Sequence, residues 1–235
     1  GFAVLDTTGS RWGKVTLPKI GDIKFARSRD LPSAPSSVTV ILEPDGTYWL
    51  SFVVEEPPAE ARPATKVAAL DLGLTDLAAV VSLDPSSGQA TRTKVTNPRP
   101  LKASLRKLAR QQRALSRKQK GSANRTKARA KVAKTHRKVR DLRADHHHKL
   151  AHRLVGDHVL ALETLSLAGM GRTRLAKSVH YAGLGNLIRL ITEKAETQGR
   201  TVIRIGRWEP TTQTCSVCGT PGDKKPLAIR EWTCN

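Results

Sequence analysis

Between Arg99 and Arg153 the chain carries twenty Lys and Arg against only two acids, Asp141 and Asp145. That single stretch holds +18 of the formal net charge of +21. A packed interior cannot take in such a segment, because an unpaired buried charge is far costlier than a solvated one. The segment must therefore stay on the surface over its full length. Leu101, Leu105, Leu108 and Leu115 recur at helical spacing, as do Val132, Val139, Leu142, Leu150 and Leu154. Gly121-Ser122-Ala123-Asn124 lies between the two sets and reads as a turn with a helix cap. The spacing predicts a long helical hairpin over 101–154, with a thin apolar stripe and a wide basic surface. Solvated helices usually interleave acids with bases for i,i+4 pairing. Here the acids are missing, so the self-repulsion calls for a polyanion whose phosphates neutralise it. The stripe is too narrow for a helix lying on a membrane. The candidate nucleic-acid contacts are Arg106, Lys107, Arg110, Arg113, Arg117, Lys118, Lys120, Arg125, Lys127, Arg129, Lys131, Lys134, Arg137 and Lys138. His146, His147 and His148 read as part of the same surface.

The rest of the chain divides around this hairpin. Residues 1–56 carry strand patterns at 11–17, 37–42 and 47–54, the last two joined by Pro44-Asp45-Gly46, and read as a small antiparallel sheet or partial barrel. Residues 57–65 are a linker by their proline content. From 66 to 207 three strands are followed by the hairpin 101–154, a strand at 158–162, a helix at 184–198 and a strand at 201–205. Three antiparallel strands followed by β-α-β predict a mixed α/β sheet. No run of 18 apolar residues is present, which excludes a membrane-spanning helix. Three cysteines are too few for a disulfide scaffold.

Two kinds of residue carry candidate chemistry. Asp71 and Glu163 each end an apolar strand just before a turn, where α/β sheets place ligand groups. If their strands are neighbours, both carboxylates can face one hard divalent ion, Mg²⁺ or Mn²⁺. An acid at a strand end is also a common turn cap or ion-pair partner. Cys215-Ser216-Val217-Cys218-Gly219 forms a knuckle, with Cys234 following in the last segment, 208–235. Cys215, Cys218 and Cys234 supply three of the four soft ligands of a zinc ribbon, and the fourth is expected at position 237.

Taken together, these residues resemble a known family. Asp71-Leu72-Gly73-Leu74 is similar to a first RuvC motif, and Leu162-Glu163-Thr164-Leu165 followed by Gly169-Met170 to a second. Thr212-Gln213-Thr214-Cys215-Ser216-Val217-Cys218-Gly219 and Arg230-Glu231-Trp232-Thr233-Cys234 resemble the zinc ribbon inserted in that domain. Their order resembles the TnpB (OrfB) proteins of bacterial insertion sequences, relatives of compact type V CRISPR nucleases. The resemblance implies a RuvC domain of RNase H-like fold at 66–207, a wedge-type barrel at 1–56, and partners that are a guide RNA and a target DNA. It implies metal-dependent cleavage of DNA with Asp71 and Glu163 as metal-binding acids, Zn²⁺ at the ribbon, no small-molecule cofactor, and a bacterial cytoplasmic setting with action at the nucleoid. Older usage calls such proteins transposases. The family's third acid, in an Asp-Arg-Asp segment, is expected beyond Asn235, and Thr164 stands where Asp is usual. The only methionine is Met170 and the chain stops straight after Cys234, so it is expected to be a fragment cut at both ends, and, short of the third acid, to be inactive by itself. The rival expectation is a non-catalytic nucleic-acid-binding protein with a ribbon.

Overall fold

Alternation builds the first sheet. Ala3–Leu5 (β1), Trp12–Leu17 (β2) and Gly21–Ala26 (β3) pair antiparallel, with Gly13, Val15 and Leu17 of β2 turned inward. Ser37–Leu42 (β4) and Tyr48–Val53 (β5) form a separate antiparallel ribbon around the expected Pro44-Asp45-Gly46 turn. Phe25 of β3 and Phe52 of β5 lie 5.5 Å apart between ring centroids. The sequence pattern missed β1 and β3, which are short or alternate weakly. Among the described residues the two sheets are not hydrogen-bonded into one. The computed structural model describes residues 1–5, 9–57, 63–211, 213–215, 217–223, 226, 229 and 232–234. Part of the expected linker, together with Thr212, Ser216, Arg230, Glu231 and Asn235, lies outside them.

The hairpin is present where the spacing put it. Pro100–Ser116 (α1) and Ala123–Val155 (α2) are joined by a short turn, and α2 alone runs 33 residues. At 1.5 Å per residue that is a rod of about 50 Å. The turn works as expected: Ser122 Oγ accepts the Arg125 backbone N–H at 3.2 Å and caps α2. Leu108 and Val139 are buried in the stripe, and the Thr135 hydroxyl donates to Gln111 Oε1 at 2.7 Å across the pair. Two expectations fail on α2. Leu142 is 49% exposed, although it falls on the predicted stripe. His147, read as surface, is only 2% exposed. A 33-residue helix rotates away from a fixed stripe as it lengthens, because 3.6 residues per turn does not match a seven-residue repeat.

A second sheet carries the two acids. Lys66–Leu72 (β6), Asp76–Leu83 (β7) and Ala90–Thr96 (β8) form an antiparallel meander. His158–Glu163 (β9) and Val202–Ile205 (β10) add parallel strands on the other side of β6. The strand order is β10-β9-β6-β7-β8. Between β9 and β10 come Leu167–Met170 (α3), Ala176–Ala182 (α4) and Leu184–Thr197 (α5), of which only α5 has a periodic apolar face. Leu184, Leu187, Leu190 and Ile191 of α5 join Ala68, Leu70, Leu72, Leu160 and Leu162 in one core cluster with Leu150, Leu154 and Val155. Each such Leu, Ile or Val side chain contributes about 1.5–3 kcal/mol on full burial. The opposite sheet face stays open, with Val67, Val81, Leu83 and Ile203 exposed on it.

The chain forms two compact units. One comprises residues 1–61 and 98–147, and the other residues 62–97 and 148–235. In sequence the hairpin is an insertion between β8 and β9, and in contacts most of it groups with the first 61 residues. Among the described residues no helix is long and apolar enough to cross a membrane.

Candidate metal centres and nucleic-acid interface

The two acids meet through strand register. β6 and β9 are parallel and in step from Lys66 with His158 to Leu70 with Leu162. Asp71 and Glu163 are the next residues on each strand. Leu70 and Leu162 face the core, so the alternation of a strand turns both acids to the open face. The neighbours on that face are small: Ala69 and Ala161 lie two residues back on the same strands, and Ala79 pairs with Asp71 from β7. Three alanines leave room above the carboxylates that larger residues would fill. The turn after Asp71 is tight. Gly73 N–H donates to Leu77 O at 3.2 Å, and a Cβ on Gly73 would lie 2.7 Å from Asp76 O. Asn97 Nδ2 donates to Leu74 O at 3.0 Å and holds the other side of the turn. Two adjacent carboxylates on an open face are hard oxygen donors that suit Mg²⁺ or Mn²⁺.

The cysteines converge at one point. Cys215, Cys218 and Cys234 bring their sulfurs within 4.8 Å of one another. Cys234 Sγ lies 3.4 Å from Cys215 Sγ and 3.7 Å from Cys218 Sγ. Four thiolates around zinc at about 2.3 Å have S···S edges near 3.8 Å, so this spacing fits three corners of a zinc tetrahedron. The knuckle is built by Val217 N–H pointing at Cys215 Sγ at 3.4 Å and Gly219 N–H bonding Cys215 O at 3.0 Å. Gly219 takes φ = 72°, a conformation a side chain would strain. Hydrogen bonding from Thr220, side chain first and then backbone, with bonds from the other two cysteines, draws the Cys218 thiol down to about 7. Hydrogen bonds to Cys215 and Cys218, and their charge, push Cys234 up to about 11. Within the cluster the Cys218 thiol thus ionises more readily than the Cys234 thiol. The expected strand leading to Cys234 includes Arg230 and Glu231, which lie outside the described residues.

The hairpin's basic residues separate into two sets. Arg106, Lys107, Arg110, Arg113, Arg117, Lys118, Lys120, Lys127, Arg129, Lys131, Lys134 and Lys138 are exposed. A groove of about 810 Å³ between the helices is lined by Lys107, Lys131, Lys134, Arg137 and Lys138 together with Gln111, Thr135, Asp141 and Asp145. Arg125 and Arg137 are half-buried. The Arg125 guanidinium donates to Leu115 O at 3.2 Å and Lys118 O at 2.9 Å, closing the C-terminal end of α1. Arg137 pairs with Asp45 at 2.8 Å and lies over the Trp49 ring, 5.9 Å from its centroid. Arg140 pairs with Glu43 at 2.8 Å. These two arginines fasten the β4–β5 turn to α2. Burial works to raise the Asp45 carboxyl, but hydrogen bonds from Thr47 and the Arg137 charge outweigh it and hold the group below its ordinary value. Charge alone could not separate these two arginines from the others. The acids on the β4–β5 turn were the only sequence signal, and they lie about ninety residues away, at 43 and 45.

Comparison with known proteins adds the following. Residues 51–174 match the family OrfB_IS605, described as "Probable transposase", and residues 185–235 match the "Cas12f1-like, TNB domain". A protein of Streptomyces pristinaespiralis named "Putative RNA-guided DNA endonuclease" is 35% identical over 230 residues, covering 96% of this chain and 55% of its own length. A protein of Mycobacterium tuberculosis with the same descriptive name is 32% identical over 223 residues, covering 87% of this chain and 47% of its own. The chain thus spans about half the length of the curated relatives it matches. A cryo-EM structure of a Cas12f1–sgRNA–target DNA complex shares the fold over 80% of this chain and 39% of that one, with a TM-score of 0.51 at 14% identity.

Proposed function

From the premise that this chain belongs to the OrfB_IS605 family, we propose that it is the nuclease-bearing part of an RNA-guided DNA endonuclease. The reading assigns residues 66–207 to an RNase H-like (RuvC) domain, 1–56 to a wedge-like β domain and 208–235 to a zinc ribbon. The observation that carries it is the register of β6 and β9, which sets Asp71 and Glu163 one step past their last paired residues on one open face. The binding-only reading gives no reason for two carboxylates to sit at neighbouring strand ends, where they repel the phosphates the hairpin attracts.

Asp71 and Glu163 would hold Mg²⁺ or Mn²⁺, and the ions supply an activated water and stabilise the leaving oxygen of a phosphodiester. Cys215, Cys218 and Cys234 would hold Zn²⁺ as a structural ion that ties the 215–219 knuckle to Cys234. The residues of the chain do the rest. The exposed lysines and arginines of α1 and α2 bind nucleic-acid backbone, with guide RNA and target DNA as the partners. The alanines beside the acids leave space for the scissile strand, and Gly73 keeps the turn after Asp71 tight. Base pairing to a guide, not this surface, reads sequence in such a system. The names borne by the relatives support the same reading.

The test is cleavage of guide-matched DNA by the protein at the length of its relatives, with Mg²⁺. Asp71→Ala and Glu163→Ala are each expected to lower the cleavage rate by more than about a hundredfold, since loss of an outer-shell partner alone costs up to that much. Both should leave binding intact or slightly tighter, because each removes a negative charge. Cleavage that survives either change overturns the assignment of the acids. Binding without cleavage in the unaltered protein points instead to the non-catalytic reading.

A further inference from the structure

Trp208 is 86% exposed, and among the described large apolar residues only Val217 is more so. Its place is specific. β10 is the edge strand, parallel to β9, and its last residue Ile205 is in register with Glu163. Thr164 N–H donates to Ile205 O at 3.1 Å, so the two strands leave the sheet together just past the acid. The chain then turns: Glu209 N–H bonds Gly206 O at 3.1 Å, which puts Arg207 and Trp208 at the two central positions. Glu209 folds back, its Cγ 3.4 Å from where a Gly206 Cβ would sit. The Arg207 guanidinium carbon lies 4.9 Å from the centre of the Trp208 ring. The segment leaving β9, Thr164 to Gly183, carries Arg172, Arg174 and Lys177 and no acid. This end of the sheet therefore carries one exposed aromatic plane backed by the Arg207 guanidinium, beside the acids Asp71, Glu163 and Glu209.

We propose that Trp208 stacks on an unpaired base of a single-stranded nucleic acid held at the Asp71–Glu163 end of the sheet, with Arg207 on a neighbouring phosphate. This rests on the nuclease reading above and adds a residue that positions the strand. An exposed aromatic face backed by a guanidinium gains by stacking on a base whose own face is free, and bases within a duplex are already stacked. Arg207 holds the ring by a cation–π contact and keeps donors free for phosphate. Trp208 would be a positioning contact that sets which nucleotide lies over the carboxylates.

The experiment uses the 235-residue chain and a short single-stranded DNA carrying 5-iodouracil, photo-cross-linked and mapped by mass spectrometry. A duplex of the same sequence serves as control. The cross-link is expected on the peptide containing Trp208 with the single strand and not with the duplex. Trp208→Ala should remove it and weaken single-strand affinity about 5- to 100-fold with an unchanged salt slope. Trp208→Phe should restore most of both, and Arg207→Ala should lower the slope by about 0.7. Salt-dependent binding with cross-links that map elsewhere overturns this inference and leaves the nuclease reading standing. A Trp208→Ala variant that melts lower yet binds and cross-links as before overturns it too, because the ring then packs against protein. Absence of any nucleic-acid binding by the unaltered chain overturns this inference, whereas the nuclease reading falls only if the protein at the length of its relatives fails to cleave guide-matched DNA.

Discussion

His158 opens β9 at the end of the strand opposite Glu163, and its Nε2 lies 2.9 Å from Ser82 Oγ. Burial, then the charge of its register partner Lys66, pulls the imidazole below its ordinary value, with Asp157 acting the other way. A histidine depressed in the folded state contributes stability above its unfolded value, near 6.5, and loses it as pH falls through the folded value. We expect the melting temperature of the chain to drop between about pH 7 and pH 5, and His158→Gln to flatten part of that drop. Equal pH profiles for the two proteins would refute the assignment. Gly73 is the other residue where one group decides. A methyl at 2.7 Å from Asp76 O forces the turn after Asp71 to shift. Gly73→Ala is therefore expected to lower cleavage with little loss of nucleic-acid binding, measured side by side. Both residues stand in the sequence as ordinary strand and turn positions, and only register gives them these neighbours.

At the scale of the element, the hairpin is the most legible part of the molecule and also the one whose chemistry is least uniform. Its limits, its turn and its cap follow from spacing and composition, because each is a local property. The division of labour among its cations does not. Arg125 spends its donors on the end of α1, and Arg137 faces Asp45, whose side chain is 3% exposed. Lys107, Lys131, Lys134 and Lys138 line the same groove as Arg137 but are exposed. Alanine at each of these four lysines should reduce the log–log salt slope of DNA binding by about 0.9 on duplex and about 0.7 on single strands. Arg125→Ala and Arg137→Ala should lower the melting temperature and leave the slope nearly unchanged. A slope change at Arg137 equal to that at Lys134 would mean that the ion pair opens on binding.

Over the whole molecule, a charge of +21 with most of it on one hairpin makes self-repulsion a term in stability. Salt acts on this in two opposite senses. Raising it from about 0.05 M to 0.5 M screens the repulsion, so the melting temperature of the free chain should rise. The same change should weaken nucleic-acid binding by orders of magnitude. Bound nucleic acid should stabilise the chain most at low salt, by mass action on the folded state. Thermal melts at both ionic strengths, with and without a single-stranded oligonucleotide, check the three signs, and a free chain that melts lower at high salt contradicts the account.

The sequence by itself determined the basic hairpin and its cap, the strands of β6 to β10, the helix α5, and the presence of two acids and three cysteines at informative positions. It did so because periodicity, turn chemistry and charge act between residues close in the chain. Short, weakly alternating β1 and β3, and the small helices α3 and α4, lack enough periods to stand out. Tertiary structure alone decided that β6 and β9 pair in the register that puts Asp71 beside Glu163, that alanines surround them, and that Cys234 closes on a knuckle sixteen residues earlier. It alone turned His147 inward and Leu142 outward, assigned Arg137 to Asp45, and left Trp208 bare. These are contacts between residues far apart in sequence, fixed by how buried faces pack and how strands align, and no local pattern specifies them.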